Sequence, residues 1–502
     1  MKIFNSGQIK EWDAFTIKDQ GILSIDLMER AAYACYTWLL NNNYTQKHIH
    51  LFCGKGNNGG DGLALARILI ENKIAVSVYI LELGKAGSAD FQENLQRLHR
   101  LTTEIHFIQG GFPVPPVNNN DLVVDALFGT GLNKPIEGLA LQLIEFINST
   151  TCPLVAIDIP SGLFTDKTTQ GHTAISATYT LSFQNYKPAF LFPENNPFIG
   201  QLHLLDIGLS SIYENNEPAS RELLEAGLIK GIIKPRNKFS HKGNFGHAAL
   251  VAGSYGMMGA ALLAARSCLC SGAGKLTVHI PSCGYDIMQI AAPEAMCKVS
   301  GEKFIEDIEN TGNYNVIGIG PGIGLQKPTA ALLKRIFTVK PTALLLDADA
   351  LNCIAADKKL LSLIPPGTLI TPHPKEFERL FGKTANDFER LELAIKKAAE
   401  LNIYIVLKGH HTAIITPPGK VYFNDTGNAG MAKAGMGDVL TGIITGLMAQ
   451  HYPLPEAAIL GVYIHGLAGD IAAEKFSQQA MQASDLINCM GEAWKFLVVD
   501  ND

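Results

Sequence analysis

Three aspartates in the first half of the chain stand where short apolar segments end. Asp61 lies in the glycine-rich loop Gly54–Gly62, Asp125 closes a Val-Val-Asp sequence, and Asp158 closes an Ala-Ile-Asp sequence. Ligands of open α/β sheets bind at the carboxyl ends of the strands, so we expect the three carboxylates to converge on one cleft. Each aspartate taken singly is also consistent with a helix cap or a turn.

The loop around Asp61 has a composition suited to ligand binding. Gly54, Gly56 and Gly59 satisfy GxGxxG between a predicted strand and a predicted helix, and Glu82 stands near the position of the ribose-binding acid of dinucleotide folds. This pattern alone fits either an NAD-dependent dehydrogenase or a purely structural glycine turn. The two asparagines and the aspartate inside the loop go beyond the dehydrogenase pattern, because they offer oxygen ligands for a hard cation or contacts to a ribose.

The strongest pattern of the second half is a glycine turn that opens a helix. The turn Gly435–Gly437 precedes Asp438, so backbone N–H groups at the helix start are predicted to face an anion, with Asp438 placed to take a proton from a substrate hydroxyl. A plain helix N-cap is the alternative for Asp438. Lys408 beside Gly409 adds a cation suited to phosphate. No GxxxxGK[ST] loop occurs in the sequence.

Apolar segments of strand length alternate with amphipathic segments, which indicates an α/β protein with mostly parallel sheets covered by helices on both faces. The predicted strands are His48–Cys53, Val76–Leu81, Ile105–Ile108, Asp121–Asp125, Leu154–Asp158, Ala248–Ala252, Lys275–Ile280, Val316–Gly318, Ala343–Asp347, Leu369–Thr371 and Ile403–Leu407. The predicted helices are Gly62–Glu71, Phe91–Leu101, Leu139–Ile147, Gly437–Ala449 and Pro455–Phe476.

The polar, aperiodic segment Ser210–Ser220 separates the two series of elements and is predicted to be a linker. We therefore expect two domains, residues 1–215 and residues 225–498. The uncharged segment Ala248–Ala265 approaches the length of a membrane span. Because Gly253–Gly256 interrupts that segment, it is predicted to be a strand, a glycine loop and a helix.

Charge and cysteine content narrow the class of protein. The chain has 502 residues, a formal net charge of −6 and nine cysteines, none of them in a CxxC pair. Without a basic excess or a long block of like charge, we expect no nucleic-acid or membrane partner. Unpaired thiols and a polar N-terminal segment without a signal peptide favour a cytoplasmic enzyme. We expect small-molecule substrates and a homo-oligomer.

The first half resembles the N-terminal domain of the YjeF family, the NAD(P)H-hydrate epimerases, in the sequences GNNGGDG, DALFGTGL and DIPSGL that begin at Gly56, Asp125 and Asp158. The resemblance implies a Rossmann-like three-layer fold and an acid/base role for Asp158 in interconverting the R and S hydrates of NADH and NADPH. It implies a potassium ion held by Asn58, Asp125 and Ser161. The contacts that it implies with the hydrated dinucleotide are from Asn57, Asn58, Gly59, Gly60, Asp61, Gly129, Thr130, Gly131, Leu132, Asn133, Lys134, Pro135 and Asp158.

The second half resembles the C-terminal domain of the same family, the ADP- or ATP-dependent NAD(P)H-hydrate dehydratases, whose fold is ribokinase-like. The resemblance lies in Gly435–Asp438, Gly318–Gly324, Asp347–Asn352 and Thr371–Phe377. It implies that Asp438 is the base and that Mg²⁺ and ADP or ATP are the cofactors. The implied substrate contacts are Ala260, Gly322, His373 and Asp438. The implied nucleotide contacts are Lys408, Gly409, His410, His411, Thr412 and Gly437.

Together the two resemblances predict a bifunctional repair activity. The C-terminal domain would transfer a phosphoryl group from ADP or ATP to the hydroxyl of the S hydrate, and loss of phosphate would restore the ring. The N-terminal domain would supply the S epimer from the R epimer. One alternative is a vitamin or sugar kinase with a dinucleotide-binding accessory domain, which the segment Asn57–Asp61 disfavours. The other is a non-catalytic dinucleotide-binding protein, which the presence of Asp158 and Asp438 disfavours.

Overall fold

The structure is a computed structural model, and it describes residues 1–102, 104–110, 115–309 and 311–498. The chain forms two compact units. Lys2–Ala219 with Asn386–Phe388 make the N-terminal unit, and Met1 with Ser220–Ala385 and the chain after Phe388 make the C-terminal unit.

The N-terminal unit is built on a parallel sheet. Its strands are β1 Lys2–Ile3, β2 Ile49–Cys53, β3 Val76–Leu81, β4 Ile105–Ile108, β5 Leu122–Ala126, β6 Leu154–Ile157, β7 Tyr179–Phe183 and β8 Gln201–Leu205. Its helices are α1 Ser6–Gln20, α2 Ser24–Asn41, α3 Asn57–Glu71, α4 Ala89–His99, α5 Gly138–Asn148, α6 Asn196–Ile199 and α7 Ser211–Asn216. Strands β2 to β8 pair in the order β4-β3-β2-β5-β6-β7-β8, each parallel to its neighbours.

Apolar side chains cover both faces of this sheet. Leu63 and Leu69 of α3 pack with Leu51 on one face, and Ile144 of α5 packs with Phe52 on the other. Because successive strand residues point to opposite faces, the buried strand Ile49–Cys53 supplies both cores. The predicted three-layer fold is therefore confirmed for this unit.

The prediction of a linker over Ser210–Ser220 is wrong for its central part. Residues Ser211–Asn216 form helix α7, and Tyr213 is buried among aromatic side chains of the same unit. Its ring stacks on Trp12 with the centroids 6.1 Å apart. Burial of the Tyr213 ring against this aromatic cluster stabilises the packing of the otherwise polar segment, because a buried tyrosine ring removes a large apolar surface from water.

The C-terminal unit is also built on a mostly parallel sheet. Its strands are β9 Arg221–Leu223, β10 His247–Val251, β11 Lys275–Ile280, β12 Met296–Val299, β13 Val316–Ile319, β14 Leu344–Leu346, β15 Leu369–Ile370, β16 Tyr404–Leu407, β17 Ala413–Ile415 and β18 Val421–Phe423. The helices that follow α7 are α8 Ala226–Ile232, α9 Met258–Cys270, α10 Tyr285–Ala291, α11 Lys327–Val339, α12 Ala348–Ala356, α13 Lys358–Leu361, α14 Pro374–Phe381, α15 Asp387–Leu401, α16 Met436–Ala449, α17 Leu454–Ala480 and α18 Ala483–Val498.

The strands of this unit pair in the order β9-β18-β17-β16-β15-β14-β13-β10-β11-β12. Strand β17 runs antiparallel to both of its neighbours, and the pairs from β16 to β12 are parallel. The uncharged segment from Ala248 folds as β10, a glycine loop and α9, which confirms its prediction. Of the helices in the described ranges, α17 alone is long and apolar enough to cross a membrane, and 67% of that apolar window is buried. Leu460 and Ile464 of α17 lie in the apolar core, so α17 packs as a core helix.

Candidate active sites

The loops after β2 and β5 meet where the strand order of the N-terminal sheet changes direction. The Gly54 amide donates to the Ala126 carbonyl at 2.9 Å, and a side chain at Gly54 would place its Cβ 1.9 Å from the Leu127 carbonyl oxygen. Only glycine permits this approach. A cavity of about 1020 Å³ opens beside these loops, at the position where open α/β sheets bind ligands.

Helix α3 begins at Asn57, so the residues Asn57–Asp61 form its first turn and not the loop that the sequence predicted. Asn57, Asn58 and Asp61 line the cavity, as do all of residues 129–135. Gly59 and Gly60 are buried inside the turn and are absent from the described cavity wall. The structure thus brings the three predicted motifs together at the cavity. Gly59 and Gly60 contribute to the packing of the helix turn and not to the cavity wall.

We expect Gly59→Ala to lower the free energy of unfolding of the N-terminal unit by about 1–3 kcal/mol through overpacking. A Cβ at Gly59 would lie 1.7 Å from the Gly54 carbonyl oxygen. Gly56→Ala is the matched control in the same motif, because a Cβ there meets nothing within 4 Å. Chemical denaturation of both variants measures the difference, and equal stability of the two would contradict the packing role.

Asp158 is held in a strained backbone conformation at the end of β6. Its φ of 64° lies in the left-handed region, where non-glycine residues are uncommon and often functional. The Lys187 ammonium lies 2.7 Å from Asp158 Oδ1 and is 1% exposed. Lys187 also donates to the Phe183 carbonyl at 2.7 Å. The cavity wall therefore contains a buried ion pair, and Lys187 is a site residue that the sequence motifs did not reveal.

Two further carboxyl groups face Asp158 in the same cavity. Burial, and secondarily the charge of Asp158, raises the pKa of Asp13 to about 7. The pKa of Asp61 is raised well above its ordinary value by burial and then by Asp158 and Asp13. A pKa raised in this way favours the protonated form of each carboxyl group. Asp13, on α1, is a second site residue that lies outside the recognised motifs.

Asp125, Ser161 and Asn58 form a compact polar cluster under the cavity. Asp125 is fully buried, and its carboxylate accepts from the Ser161 hydroxyl at 2.6 Å and the Ser161 amide at 2.8 Å. Burial raises the pKa of Asp125 to about 6, against these hydrogen bonds. Asn58 donates to the Phe128 carbonyl at 3.1 Å, which leaves Asn58 Oδ1 buried without a hydrogen-bond partner.

Glu82, the residue near the position of a ribose-binding acid, pairs with Lys55 of the first glycine loop. Lys55 forms a salt bridge with Glu82 and donates to the Lys85 carbonyl at 3.0 Å. The Lys55 contact also lowers the pKa of Glu82. Glu82 is therefore engaged with a side chain of the loop and does not stand alone as a ribose-binding acid would.

In the C-terminal unit, α16 opens with Gly435 in a left-handed conformation, φ 89°. Asp438 follows in the first turn, where helix N–H groups favour negative charge. Burial is the main cause that raises the pKa of Asp438 to about 7, and Asp347 adds to it while Lys408 opposes it. A carboxylate with a pKa near 7 is matched to proton transfer at neutral pH.

Lys408 connects three carboxylates at this site. Its ammonium lies 2.9 Å from Asp347 Oδ1 and 3.9 Å from Glu376 Oε2. The Thr441 hydroxyl donates to the other Asp347 oxygen at 2.7 Å. Burial opposes the charge of Lys408, but Asp347, Glu376 and Asp438 outweigh it and raise the Lys408 pKa. Asp347 and Glu376 belong to the motifs Asp347–Asn352 and Thr371–Phe377, but the sequence analysis assigned neither of them a role. Their place in the site is revealed by their contacts with Lys408, which is distant from both in the sequence.

The predicted substrate contacts of this unit other than Asp438 lie in two places. Gly322 has φ 61°, and a Cβ on it would lie 3.1 Å from Ala260 Cβ, so these two predicted substrate contacts are neighbours. His373 caps α14, because its Nδ1 accepts from the Lys375 amide at 3.1 Å and the Glu376 amide at 3.3 Å.

The predicted nucleotide contacts Gly409–Thr412 form the turn after β16. His410 and His411 stack with their ring centroids 4.5 Å apart, and the Thr412 hydroxyl donates to the Gly409 carbonyl at 3.2 Å. Gly437 lies close to Lys408, since a Cβ on it would be 3.4 Å from the ammonium. Lys408 and Gly437 therefore share one side of the site with Asp438.

Sequence comparisons assign the two halves to described families. A family model described as YjeF-related protein N-terminus matches residues 24–189, and one described as NAD(P)H-hydrate dehydratase matches residues 248–491. The bifunctional NAD(P)H-hydrate repair enzyme Nnr of Moorella thermoacetica is 35% identical over 506 residues, which cover 97% of this chain and 96% of that protein. The protein of the same name from Escherichia coli is 33% identical and covers 94% of this chain and 89% of its own length.

Among solved structures, a ribokinase-like superfamily protein from Enterococcus faecalis is similar with a TM-score of 0.50 and 29% identity. The match covers 56% of this chain and 98% of that one. The ribokinase-like fold predicted for the second half is thereby confirmed, and the alternation of strands and helices predicted from the sequence is confirmed in both units.

Proposed function

The chain belongs to the family of bifunctional NAD(P)H-hydrate repair enzymes, and we propose that its N-terminal domain, residues 1–215, epimerises the R and S hydrates of NADH and NADPH. The C-terminal domain, residues 225–498, dehydrates the S hydrate at the expense of ADP or ATP. The alternative of a vitamin or sugar kinase accounts for one half of the chain only, whereas the relatives match over nearly all of it.

One observation carries the proposal: each unit places an aspartate beside a lysine at a glycine-lined ligand edge. In the N-terminal unit the pair is Asp158 and Lys187, 2.7 Å apart. In the C-terminal unit Lys408 lies 2.9 Å from Asp347 Oδ1 and close to Gly437, in the first turn of the helix that carries Asp438. Both reactions need a carboxylate that transfers a proton and a fixed cation nearby that stabilises negative charge.

In the epimerase site, Asp158 is the group that takes a proton from the substrate and returns it. Lys187 keeps this carboxylate oriented, and the Phe183 amide donates to the same Asp158 oxygen at 3.3 Å. Inversion of the hydroxyl-bearing carbon requires one of its bonds to break and to form again on the other face. When the ring C–N bond opens as the hydroxyl proton leaves to Asp158, the ring nitrogen needs a proton donor, and ring closure returns both protons. Asp13, whose pKa is about 7, and Asp61, whose pKa is raised by burial, line the same cavity, so their protonated forms are suited to that role. Asn57, Asn58, Asp61 and residues 129–135, which line the cavity, hold the hydrated dinucleotide.

The residues Asn58, Asp125 and Ser161 fit a potassium ion. They present amide, carboxylate and hydroxyl oxygens, the ligands that hard cations take. The buried Oδ1 of Asn58 lacks a hydrogen-bond partner, and the buried carboxylate of Asp125 accepts hydrogen bonds from neutral groups, the Leu127 amide and the Ser161 amide and hydroxyl. A bound cation satisfies both groups and anchors the loops after β2, β5 and β6.

We expect K⁺ to raise the melting temperature of the N-terminal unit in metal-free buffer, because a ligand that binds only the folded state stabilises it. Asn58→Ala should remove most of this K⁺-dependent increase, whatever its effect on the melting temperature itself. Differential scanning calorimetry with K⁺ and with an equal concentration of tetramethylammonium measures the increase. An unchanged K⁺ response in the variant would contradict the assignment.

In the dehydratase site, Asp438 takes the proton of the substrate hydroxyl while the phosphoryl group moves onto that oxygen. The N–H groups at the start of α16 stabilise the charge of the phosphoryl group. Substrate contacts are from Ala260, Gly322 and His373. The phosphoryl transfer releases ADP from ATP, or AMP from ADP. Phosphate leaves more readily than hydroxide, so elimination of phosphate together with a proton of the adjacent ring carbon then restores the ring double bond.

The nucleotide is held by Lys408, the turn Gly409–Thr412 and Gly437. Mg²⁺ supplies charge neutralisation between the phosphates when bound. The carboxylate of Asp349 fits that ion's preference for oxygen ligands, although its Oδ2 already accepts from the Gly324 amide at 2.9 Å. Before any ligand binds, burial, Asp347 and Lys408 together determine the protonation of Asp438.

The dehydratase kcat/KM is expected to fall as the pH drops below about 7, because protonated Asp438 cannot act as a base. Lys408 opposes the rise of the Asp438 pKa, so Lys408→Met should move this midpoint to higher pH. Lys396→Met, at an exposed lysine of α15, is the control and should leave the profile in place. A Lys408→Met profile with an unchanged midpoint would contradict the coupling.

The overall proposal is tested by recovery of the near-ultraviolet absorbance of NADPH from its separated R and S hydrates, with ADP and with ATP. We expect full recovery from both epimers with at least one nucleotide. No recovery from S would refute the dehydratase activity. Recovery from S together with spontaneous-rate recovery from R would refute the epimerase activity alone.

We also propose a cytoplasmic location and a homo-oligomeric assembly. All nine cysteines are free thiols, as expected in a reducing compartment. Light scattering on the purified protein measures the assembly directly.

A further inference from the structure

A second polar cluster lies at the opposite edge of the N-terminal sheet from the cavity. His48 precedes β2, His50 is the second residue of β2, and Asp121 precedes β5. Because β2 and β5 are adjacent and parallel, the three side chains meet at the amino ends of these strands. The cavity lies at the carboxyl ends, so the cluster is separate from the epimerase site.

The three side chains are close enough to share one ion. One potential ligand atom from each of His48, His50 and Asp121 lies within 4.8 Å of the other two. The two imidazole rings are 4.4 Å apart between centroids, and His50 Nε2 lies 3.2 Å from Asp121 Oδ2. On the outer side, His48 Nε2 lies 3.0 Å from the Ser77 hydroxyl.

His50 is the most deeply buried of the three side chains, at 2% exposed. Its Nε2 is the ring nitrogen that faces Asp121, and its Nδ1 is buried with no hydrogen-bond partner. A metal ion shared by His50 and Asp121 would therefore take His50 through Nε2, so that neighbouring strands β2 and β5 each supply a direct ligand.

We propose that His48, His50 and Asp121 form a binding site for a divalent transition metal of the zinc class, which ties the start of β2 to the start of β5. Two imidazoles and one carboxylate are a ligand set of Zn²⁺ and its neighbours, whereas Mg²⁺, Ca²⁺ and K⁺ prefer oxygen alone. Zinc takes such ligands at about 2.0–2.2 Å. The role is structural, because the site lies away from the cavity.

The test uses the full chain freed of metal with a chelator, and Zn²⁺ and Co²⁺ as probes. Equilibrium dialysis at pH 7.5 should show one high-affinity Zn²⁺ per chain, and Co²⁺ should give visible absorption of a four-coordinate complex. His48→Ala and Asp121→Asn should each weaken this binding by about 100-fold or more, since loss even of an outer partner costs about 10–100-fold. His99→Ala, at an exposed histidine of the same unit, should bind as the parent does.

Circular dichroism of the metal-free variants separates loss of ligand from loss of fold, and His48→Ala, which leaves the buried His50 in place, is the decisive variant. Zn²⁺ should also raise the melting temperature of the parent, with no such rise in folded His48→Ala. Absence of a high-affinity Zn²⁺ in the parent would overturn the proposal. So would a folded His48→Ala or Asp121→Asn chain that binds Zn²⁺ with the parent's affinity.

Discussion

Asp438→Asn is expected to lower the turnover of the S hydrate by about 10²–10⁴-fold, the usual contribution of a positioned general base. Asn keeps the size of the side chain and can still accept a hydrogen bond at the start of α16, but it cannot take the hydroxyl proton. The measurement is the rate of absorbance recovery from pure S hydrate at saturating ADP or ATP and pH 8. Epimerisation by the same variant is the internal control and should be unchanged.

The stability of this variant separates catalysis from helix capping. Burial raises the pKa of Asp438 to about 7, so the unfolded state gives up this proton more readily and the folded state loses stability as the pH rises from about 4 to about 7. Asn removes that loss, and we expect Asp438→Asn to melt no lower than the parent at pH 8. If Asp438 served only as a negative charge at the start of α16, its replacement by Asn would lower stability by about 0.3–1 kcal/mol and leave the rate intact.

Asp357→Asn is the matched control for the C-terminal unit. Asp357 is an exposed aspartate whose Oδ1 accepts from the Lys359 amide at 3.1 Å before α13. It should keep full dehydratase activity. Parent-like turnover in Asp438→Asn would refute its role as the base, and a comparable loss in Asp357→Asn would show that the assay responds to any lost carboxylate.

Strand positions were predictable because buried parallel strands are continuous apolar runs. Val76–Leu81 and Ile105–Ile108 match the structure residue for residue. Strands β7 and β8 were not predicted, since Tyr179–Phe183 alternates polar and apolar residues inside a segment rich in turns. The start of α3 was also missed, because a turn containing two glycines reads as a loop until packing supports it.

Glycine-rich motifs predicted residues that line the N-terminal cavity, because close backbone approaches leave a local sequence signature. The pairing of charged side chains leaves no such signature. Lys187 reaches Asp158 from beyond β7, and Lys408 reaches Asp347 across 61 positions. Such pairs depend on which strands are neighbours, and a single sequence does not state that order. Lys408 itself was predicted as a nucleotide contact, but its pairing with Asp347 was not, and Lys187 was not predicted at all.

Asp158→Asn is expected to lower the enzymatic R-to-S rate by about 10²–10⁴-fold, toward the spontaneous rate. Asn keeps an oxygen for the Phe183 amide and Lys187, so the geometry persists while the proton acceptor is lost. The measurement is the chromatographic appearance of S hydrate from pure R hydrate without nucleotide. Dehydration of S hydrate is the internal control and should match the parent.

Asp158→Asn is also expected to lower the stability of the protein, because it affects the buried ammonium of Lys187. With Asp158 neutralised, a lysine that is 1% exposed loses its counter-charge, and loss of one partner of a buried pair costs about 3–5 kcal/mol. The double variant Asp158→Asn/Lys187→Met removes both charges and should recover much of that stability while the epimerase stays inactive. Asp206→Asn is the control, because the Asp206 carboxylate accepts from the Gly208 amide in an exposed turn. This variant should keep the stability and the epimerase activity of the parent. If the double variant regained epimerase activity along with stability, Asp158 would hold Lys187 in the fold and take no part in proton transfer.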